Sequence, residues 1–206
     1  MSITDAKSTY ATGSVVAAPE SSSVNLYAAP GSSQVLDRVA STTRFGSPTR
    51  LAVIGREAGW LVVVSDALAN DERGYVRRDD VQLTRVRYSV EVDVSRRLLK
   101  VWQMGVVVRS FAVAVGGSSS PTPSGRFSIT DKLADFNPAA YGCCVLALSG
   151  HQTQLAPGWT GGDRLAIHGG GGIGGATSSG CLHARTSDLE YLMARLPLGT
   201  QVVIHP

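Results

Sequence analysis

Short apolar runs separated by turn residues fill the chain from Val24 to about Leu83. The clearest runs lie at 50–54, 59–64 and 74–76, and Gly, Ser, Asp and Asn recur between them. Apolar segments this short, bounded by such residues, are typical of strands. The pattern therefore predicts a small all-β barrel over residues 24–85.

A second pattern begins near residue 86, where apolar and polar residues alternate strictly. The apolar positions are Tyr88, Val90, Val92 and Val94. A period of two predicts a half-buried strand. Apolar segments at 99–102, 105–108 and 111–115 extend this strand into a meander, and 201–204 predicts a last strand.

One helix is predicted, close to the C-terminus. Ser187 and Asp188 supply an N-cap, and Pro197 with Gly199 ends the helix. Between them, apolar residues recur three and four apart at Leu189, Leu192, Met193 and Leu196. The predicted fold is mainly β, a small N-terminal barrel followed by a β-rich domain over residues 86–206 with one C-terminal helix.

Residues 1–23 are rich in Ser, Thr and Ala and show no sustained periodicity, which predicts a flexible tail. They lack the charged-then-apolar order of a secretory leader, so either export is not encoded there or a leader has been removed. The longest apolar runs, such as 51–54, are far shorter than the roughly 20 residues that cross a bilayer. We therefore expect no transmembrane segment.

The formal net charge of +3 comes from scattered arginines rather than a basic block, so no nucleic-acid partner is expected. Three cysteines cannot all pair within one chain, which leaves at least one free thiol. Cys143 and Cys144 are adjacent, and the geometry that a disulfide requires disfavours a bridge between them. We expect both to be buried.

The segment 166–183 concentrates the candidate chemistry, since it holds two of the four histidines and one of the three cysteines. Cys181 is a candidate nucleophile, because an imidazole within hydrogen-bond reach can take the proton of its thiol. His168 ends an apolar strand and is the favoured base, but His183 stays open because it shares a face with Cys181 in an extended segment. Gly180 leaves room for substrate, and the amides of Gly180 and Cys181 can stabilise an oxyanion.

Two other kinds of site compete for the same residues. The glycine-rich stretch 169–175 suggests a phosphate cradle, but no Gly-Lys-Ser or Gly-Lys-Thr follows it. His168, Cys181 and His183 are possible zinc ligands, although paired ligand spacing and a fourth ligand are not evident. We expect neither a metal nor a cofactor.

The second domain resembles the catalytic domain of the L,D-transpeptidases, the YkuD-like family. The corresponding segments are Pro-Thr-Pro-Ser-Gly-Arg-Phe at 121–127, His-Gly at 168–169, Ser-Ser-Gly-Cys-Leu at 178–182 and Leu-Gly-Thr-Gln-Val-Val-Ile at 198–204. Ser179 stands where the family usually has histidine, and His183 where it usually has arginine or asparagine.

The resemblance implies that Cys181 is the nucleophile, that His168 is the general base and that the Gly169 carbonyl orients the imidazole. Ser178, Ser179, Gly180 and His183 would surround the substrate or its oxyanion. The implied reaction attacks the diaminopimelate–D-alanine bond of a peptidoglycan stem peptide, releases D-alanine and passes the acyl group to an acceptor amine. It also implies covalent inhibition by carbapenems and an extracytoplasmic location.

Residues 24–85 resemble the bacterial Src-homology-3-like modules that often precede cell-wall enzymes. The resemblance rests on Tyr27, Pro30 and Gly31, on the segment 59–63, and on Gly-Tyr-Val at 74–76.

Three other readings stay open. The domain would be an L,D-carboxypeptidase if water replaced the acceptor amine. Papain-like wall endopeptidases also carry a Cys/His pair, but in them the cysteine precedes the histidine in the chain. A catalytically impaired wall-binding module is the non-enzymatic alternative.

Overall fold

Two large β-sheets, which divide near residue 87, make up most of the fold in the computed structural model, which describes residues 10–134, 139–155 and 158–206. The N-terminal sheet is antiparallel, with the strand order β3-β2-β6-β5-β4-β1-β7. Its strands are β1 (Ser14–Pro19), β2 (Ser23–Tyr27), β3 (Val35–Ala40), β4 (Leu51–Glu57), β5 (Trp60–Val64), β6 (Gly74–Arg77) and β7 (Val81–Val86).

The C-terminal sheet has eight strands in the order β10-β9-β8-β17-β12-β13-β14-β16. Its strands are β8 (Tyr88–Asp93), β9 (Leu98–Gln103), β10 (Val106–Ala112), β12 (Gly125–Leu133), β13 (Val145–His151), β14 (Arg164–Gly169), β16 (Leu182–Ala184) and β17 (Gln201–His205). The pairs β8–β17 and β14–β16 are parallel, whereas the other neighbours are antiparallel. Beside it, β11 (Val115–Gly116) and β15 (Ala176–Ser178) form a short parallel pair.

Each large sheet has a hydrophobic core of its own. Residues of the first core run from Ala17 to Val81, and those of the second from Val90 to Ile204. The helix α1 (Thr186–Arg195) contributes Leu189 and Leu192 to the second core, where both side chains are fully buried. Because α1 contacts β14, it supports the strand that carries His168.

The prediction of a flexible tail over residues 1–23 is wrong for residues 14–19. These residues form β1, which pairs with β4 on one side and with β7 on the other. Val16 and Ala17 are fully buried. Composition gave no sign of this strand, because its stability comes from partners far along the chain rather than from its own pattern.

The predicted helix cap is also wrong in position. The helix begins at Thr186 after Arg185, whose side chain makes no capping hydrogen bond. Asp188 lies in the first turn, where its buried carboxylate accepts hydrogen bonds from the Arg109 guanidinium at 2.6 and 3.2 Å. Asp188 therefore forms an ion pair with Arg109 of β10 and does not cap the helix.

Cys143 and Cys144 form a disulfide, contrary to the expectation from their adjacency. They lie in the turn between a short 3₁₀ helix (Ala139–Tyr141) and β13, where the side chains of neighbouring residues need not point to opposite faces as they do in a strand. Cys144 is buried and Cys143 is half-buried. Cys181 is the free cysteine.

Polar contacts and close packing join the two sheets. Ser14 donates to the Tyr88 carbonyl at 3.0 Å, and the Gln201 side-chain amide donates to the Val53 carbonyl at 2.9 Å. Thr43 donates to Asp131, which is fully buried. In the described part of the chain, no helix has the length and apolar character that would cross a membrane.

Candidate active site

The parallel pairing of β14 with β16 assembles the candidate catalytic residues. Its register places His168 beside His183, so Cys181, one position before Leu182, comes next to Ala166. Alternation along a strand puts Cys181 and His183 on one face. Two segments that are separated by the glycine-rich loop in sequence are thus neighbours in space.

The His168 ring is oriented by the residue that follows it, Gly169, at the end of β14. Nδ1 lies 2.6 Å from the Gly169 carbonyl, and because a carbonyl only accepts, Nδ1 carries the proton and Nε2 is left with its lone pair. The residue is 7% exposed, with the Tyr141 ring 4.5 Å away and the His183 ring 4.8 Å away. Burial, with a smaller contribution from His183, lowers the pKa of His168 to about 4.

The Cys181 thiol is half-buried and faces the backbone of β14. Its Sγ donates to the Arg164 carbonyl at 3.9 Å. Burial raises the pKa of the thiol, and burial together with Cys181 raises the pKa of the Tyr141 hydroxyl. At neutral pH the resting site therefore holds a neutral thiol and a neutral imidazole rather than a thiolate–imidazolium pair.

The turn that presents Cys181 is tied together by Ser178. Its hydroxyl donates to the Cys181 carbonyl at 2.6 Å and accepts from the Gly180 amide at 3.1 Å. Gly180 has φ +113°, and a Cβ there would collide with the Gln152 side chain, so only glycine fits this position. The Gly180 amide, expected from the sequence to face an oxyanion, is engaged within the turn.

Two further side chains fix the direction of this turn. The Thr122 hydroxyl donates to the Gly180 carbonyl at 2.8 Å, and because a trans peptide is planar, the Cys181 amide points away from Thr122. The Gln152 side-chain amide, buried at 7% exposure, lies 3.0 Å from the Ser179 carbonyl and 3.0 Å from that of Pro121. The turn 178–181, called the nucleophile turn because it carries the candidate nucleophile Cys181, is thus anchored from two sides.

An open cavity of about 320 Å³ lies over these residues. It gathers most of the side chains that the sequence singled out, namely His168, Ser178, Ser179, Cys181 and His183. Gly169 and Gly180 contribute to the site through their backbone carbonyls, which contact His168 and Thr122 respectively. Two large apolar side chains at its rim, Leu155 and Trp159, are 47% and 46% exposed.

Within the residues that the structure describes, no group of three His, Cys, Asp or Glu side chains is arranged to hold a metal ion. His168 and His183 each direct Nδ1 at a backbone carbonyl, of Gly169 and of Gly171 respectively. Such contacts orient the rings for chemistry at Nε2.

Sequence reasoning missed four residues that shape the site. Thr122 lies inside the Pro-Thr-Pro segment, so that segment was the available signal. Tyr141, Gln152 and Arg164 carry no motif of their own. Their roles come from tertiary contacts across β13 and β14, which no local pattern encodes.

Comparisons with known proteins agree on one family. A family model of the L,D-transpeptidase catalytic domain, YkuD, matches residues 87–204. The putative L,D-transpeptidase YkuD of Bacillus licheniformis is 29% identical over 125 residues, which are 59% of this chain and 67% of that protein.

Two solved structures match parts of this chain at low identity. A Bdellovibrio bacteriovorus structure has 20% identity and a TM-score of 0.46, covering 58% of this chain and 48% of its own. An L,D-transpeptidase from Mycobacterium smegmatis has 14% identity and a TM-score of 0.49, covering 76% of this chain and 82% of its own. The chain thus spans about half of the Bdellovibrio protein.

Proposed function

The chain belongs to the family of L,D-transpeptidase catalytic domains (YkuD), and from this premise we propose that it is a peptidoglycan L,D-transpeptidase whose nucleophile is Cys181. One observation carries the proposal. A free thiol and a histidine with an available Nε2 line the same cavity, and the histidine Nδ1 is tied to the Gly169 carbonyl.

In the first half-reaction, the Cys181 Sγ attacks the carbonyl carbon between diaminopimelate and D-alanine, and His168 Nε2 takes the thiol proton. Because both groups rest neutral, proton transfer accompanies the attack. The Cys181 amide, oriented by Thr122, donates to the oxyanion. The C–N bond then breaks, D-alanine leaves with the proton from His168, and a thioester remains.

In the second half-reaction, an amine of another stem peptide attacks the thioester. His168 takes a proton from this amine, the new amide bond forms as the C–S bond breaks, and His168 returns the proton to the Cys181 sulfur. Both half-reactions are acyl transfers in which His168 moves the protons, so no step needs a cofactor.

We further propose that the N-terminal sheet is a Src-homology-3-like module and that the protein acts outside the cytoplasm, where its substrate is found. Seven short antiparallel strands with a separate core support the first of these proposals. Covalent inhibition by carbapenems follows from the thiol chemistry, since an activated lactam is an acyl donor.

The decisive experiment incubates the protein with purified disaccharide-tetrapeptide and analyses the products by mass spectrometry. We expect cross-linked dimers that have lost one D-alanine, and no turnover by Cys181→Ala, whose fold should be intact because the side chain is only half-buried. Tripeptide products alone would establish an L,D-carboxypeptidase, and cleavage between stem residues an endopeptidase. Unchanged substrate would contradict the proposal and leave the impaired wall-binding module.

A further inference from the structure

A loop of the N-terminal sheet reaches the wall of the candidate active site. This loop, residues 65–70, follows β5 and is called the 65–70 loop. Its Ser65 and Leu68 are buried at 5% and 4% exposure, which fixes the loop on its own sheet. Its half-buried Asp66 and Asn70 face the C-terminal sheet. They contact it where His151 ends β13 and Arg164 begins β14.

Asn70 binds the backbone of His151 as a strand would. Its side-chain amide donates to the His151 carbonyl at 2.7 Å, and its side-chain oxygen accepts from the His151 amide at 2.7 Å. The His151 ring lies between the Asp66 carbonyl, 2.9 Å from Nε2, and the Asp163 carboxylate, 3.1 Å from Nδ1. Both the backbone and the side chain of His151, at the end of β13, are therefore held by hydrogen bonds.

Asp66 binds Arg164, the residue of β14 that pairs with His151 of β13. The Arg164 guanidinium donates to the Asp66 carboxylate at 2.6 Å, and also to the Thr130 hydroxyl at 2.9 Å and to the Leu148 carbonyl. The Arg164 side chain is only 10% exposed, so this ion pair is little screened by water. Removing one partner leaves a nearly buried charge without its counter-charge.

The same two strand ends touch the nucleophile turn. The Arg164 carbonyl accepts the Cys181 thiol, and Gln152, the residue after His151, binds the Ser179 carbonyl through its side chain. The backbone N–H of Gln152 also donates to the Asp163 carbonyl at 2.6 Å. A continuous set of contacts therefore runs from the 65–70 loop to Cys181.

We propose that the 65–70 loop is a positioning element of the catalytic centre, in which Asp66 and Asn70 hold Arg164 and His151 so that the nucleophile turn stays in place. The proposal rests on the proposed function, because it takes Cys181 as the nucleophile. It gives the N-terminal sheet an indirect part in the reaction, through the position of the turn that carries Cys181. Asp66 and Asn70 are positioning residues, since neither touches the reacting atoms.

The test compares Asp66→Ala and Asn70→Ala with the parent and with Asp71→Ala, an exposed carboxylate next to the same loop. Three quantities are measured: the second-order rate of acylation by a carbapenem, the rate of alkylation by iodoacetamide, and hydrogen exchange of a peptide spanning 176–185. We expect both loop variants to acylate about ten times more slowly and to exchange faster at 176–185. Alkylation should change less than twofold, because a small reagent needs access to the thiol but no fixed geometry.

Asp66→Asn retains an oxygen that accepts from Arg164, so it should recover part of the acylation rate. A variant that acylates and exchanges like the parent would overturn the inference, as would Asp71→Ala matching the loop variants. If one loop variant does not fold, the other decides, because Asp66 and Asn70 act on different residues. A parent that no carbapenem acylates would contradict the proposed function, and hydrogen exchange at 176–185 would still decide whether the loop positions the turn.

Discussion

At the scale of single residues, the site is defined by two groups that burial keeps neutral. The pKa of His168 lies below and that of Cys181 above its ordinary value. A cysteine that rested as a thiolate would react with many electrophiles, whereas a neutral thiol must first give its proton to a base. We therefore expect the resting thiol to react more slowly with simple alkylating agents than a thiolate would.

The identity of the base is testable by alanine variants. His168→Ala should slow acylation by a carbapenem by roughly a hundredfold or more, the scale of a positioned general base. His183→Ala should cost much less, because the His183 ring is less buried than that of His168, the proposed base. The measurement is the second-order acylation rate, and the reverse order of the two variants would assign the base to His183.

Burial of neutral His168 also links stability to pH. Its pKa is 6.5 in the unfolded chain and about 4 in the fold, so between these values the unfolded state binds more protons. Stability should therefore fall as the pH drops from 6.5 towards 4, with a contribution from His168 of about 3 kcal/mol at most. The check is the free energy of unfolding, measured with urea at pH 7 and pH 4.5. The difference between the two values should be smaller in His168→Gln than in the parent, whereas an equal difference would contradict this linkage.

At the scale of elements, strands that carry a pattern of their own could be predicted, whereas several others, among them β1, β12 and β13, could not. The alternation from Tyr88 predicted β8, and the spacing of Leu189 and Leu192 predicted α1. Strand β1 was missed because four small apolar residues in a polar segment are ambiguous until β4 and β7 supply partners. The motif pointed to Cys181 and His168, which line the same cavity, whereas Gln152 and Arg164 depend on pairings between distant segments.

The contribution of β1 can be measured with two substitutions in the same strand. Val16 is fully buried, and its side chain lies against Gly199, in the turn that leads into β17 of the C-terminal sheet, so Val16→Asp buries a charge where the two parts of the molecule meet. We expect its melting temperature to fall by about 10 °C or more. Ala18→Asp places the same charge at a half-exposed position and should cost far less. Equal melting temperatures for Val16→Asp and the parent would show that β1 does not contribute to stability.

At the scale of the whole molecule, two cores are joined by contacts that also reach the reaction centre. The Src-homology-3-like resemblance led us to expect a module in front of a catalytic domain. The structure adds polar contacts between them at Asp66, Asn70 and Thr43, none of which a sequence pattern marks. Composition and periodicity describe each sheet separately, so they carry no information about the surfaces that join them.

The central position of β17 has a consequence for how the chain folds. This strand lies between β8 and β12, and its parallel register pairs Val202 with Val90 and Ile204 with Val92. The C-terminal sheet is therefore divided until residues more than a hundred positions apart have met, a loop closure whose entropy must be lost before any pairing energy is gained. Chains dominated by such distant pairings fold on a timescale of milliseconds to seconds. During that interval the edges of β8 and β12 are unpaired, so slow refolding and aggregation at high protein concentration are the expected behaviour of this molecule after denaturation.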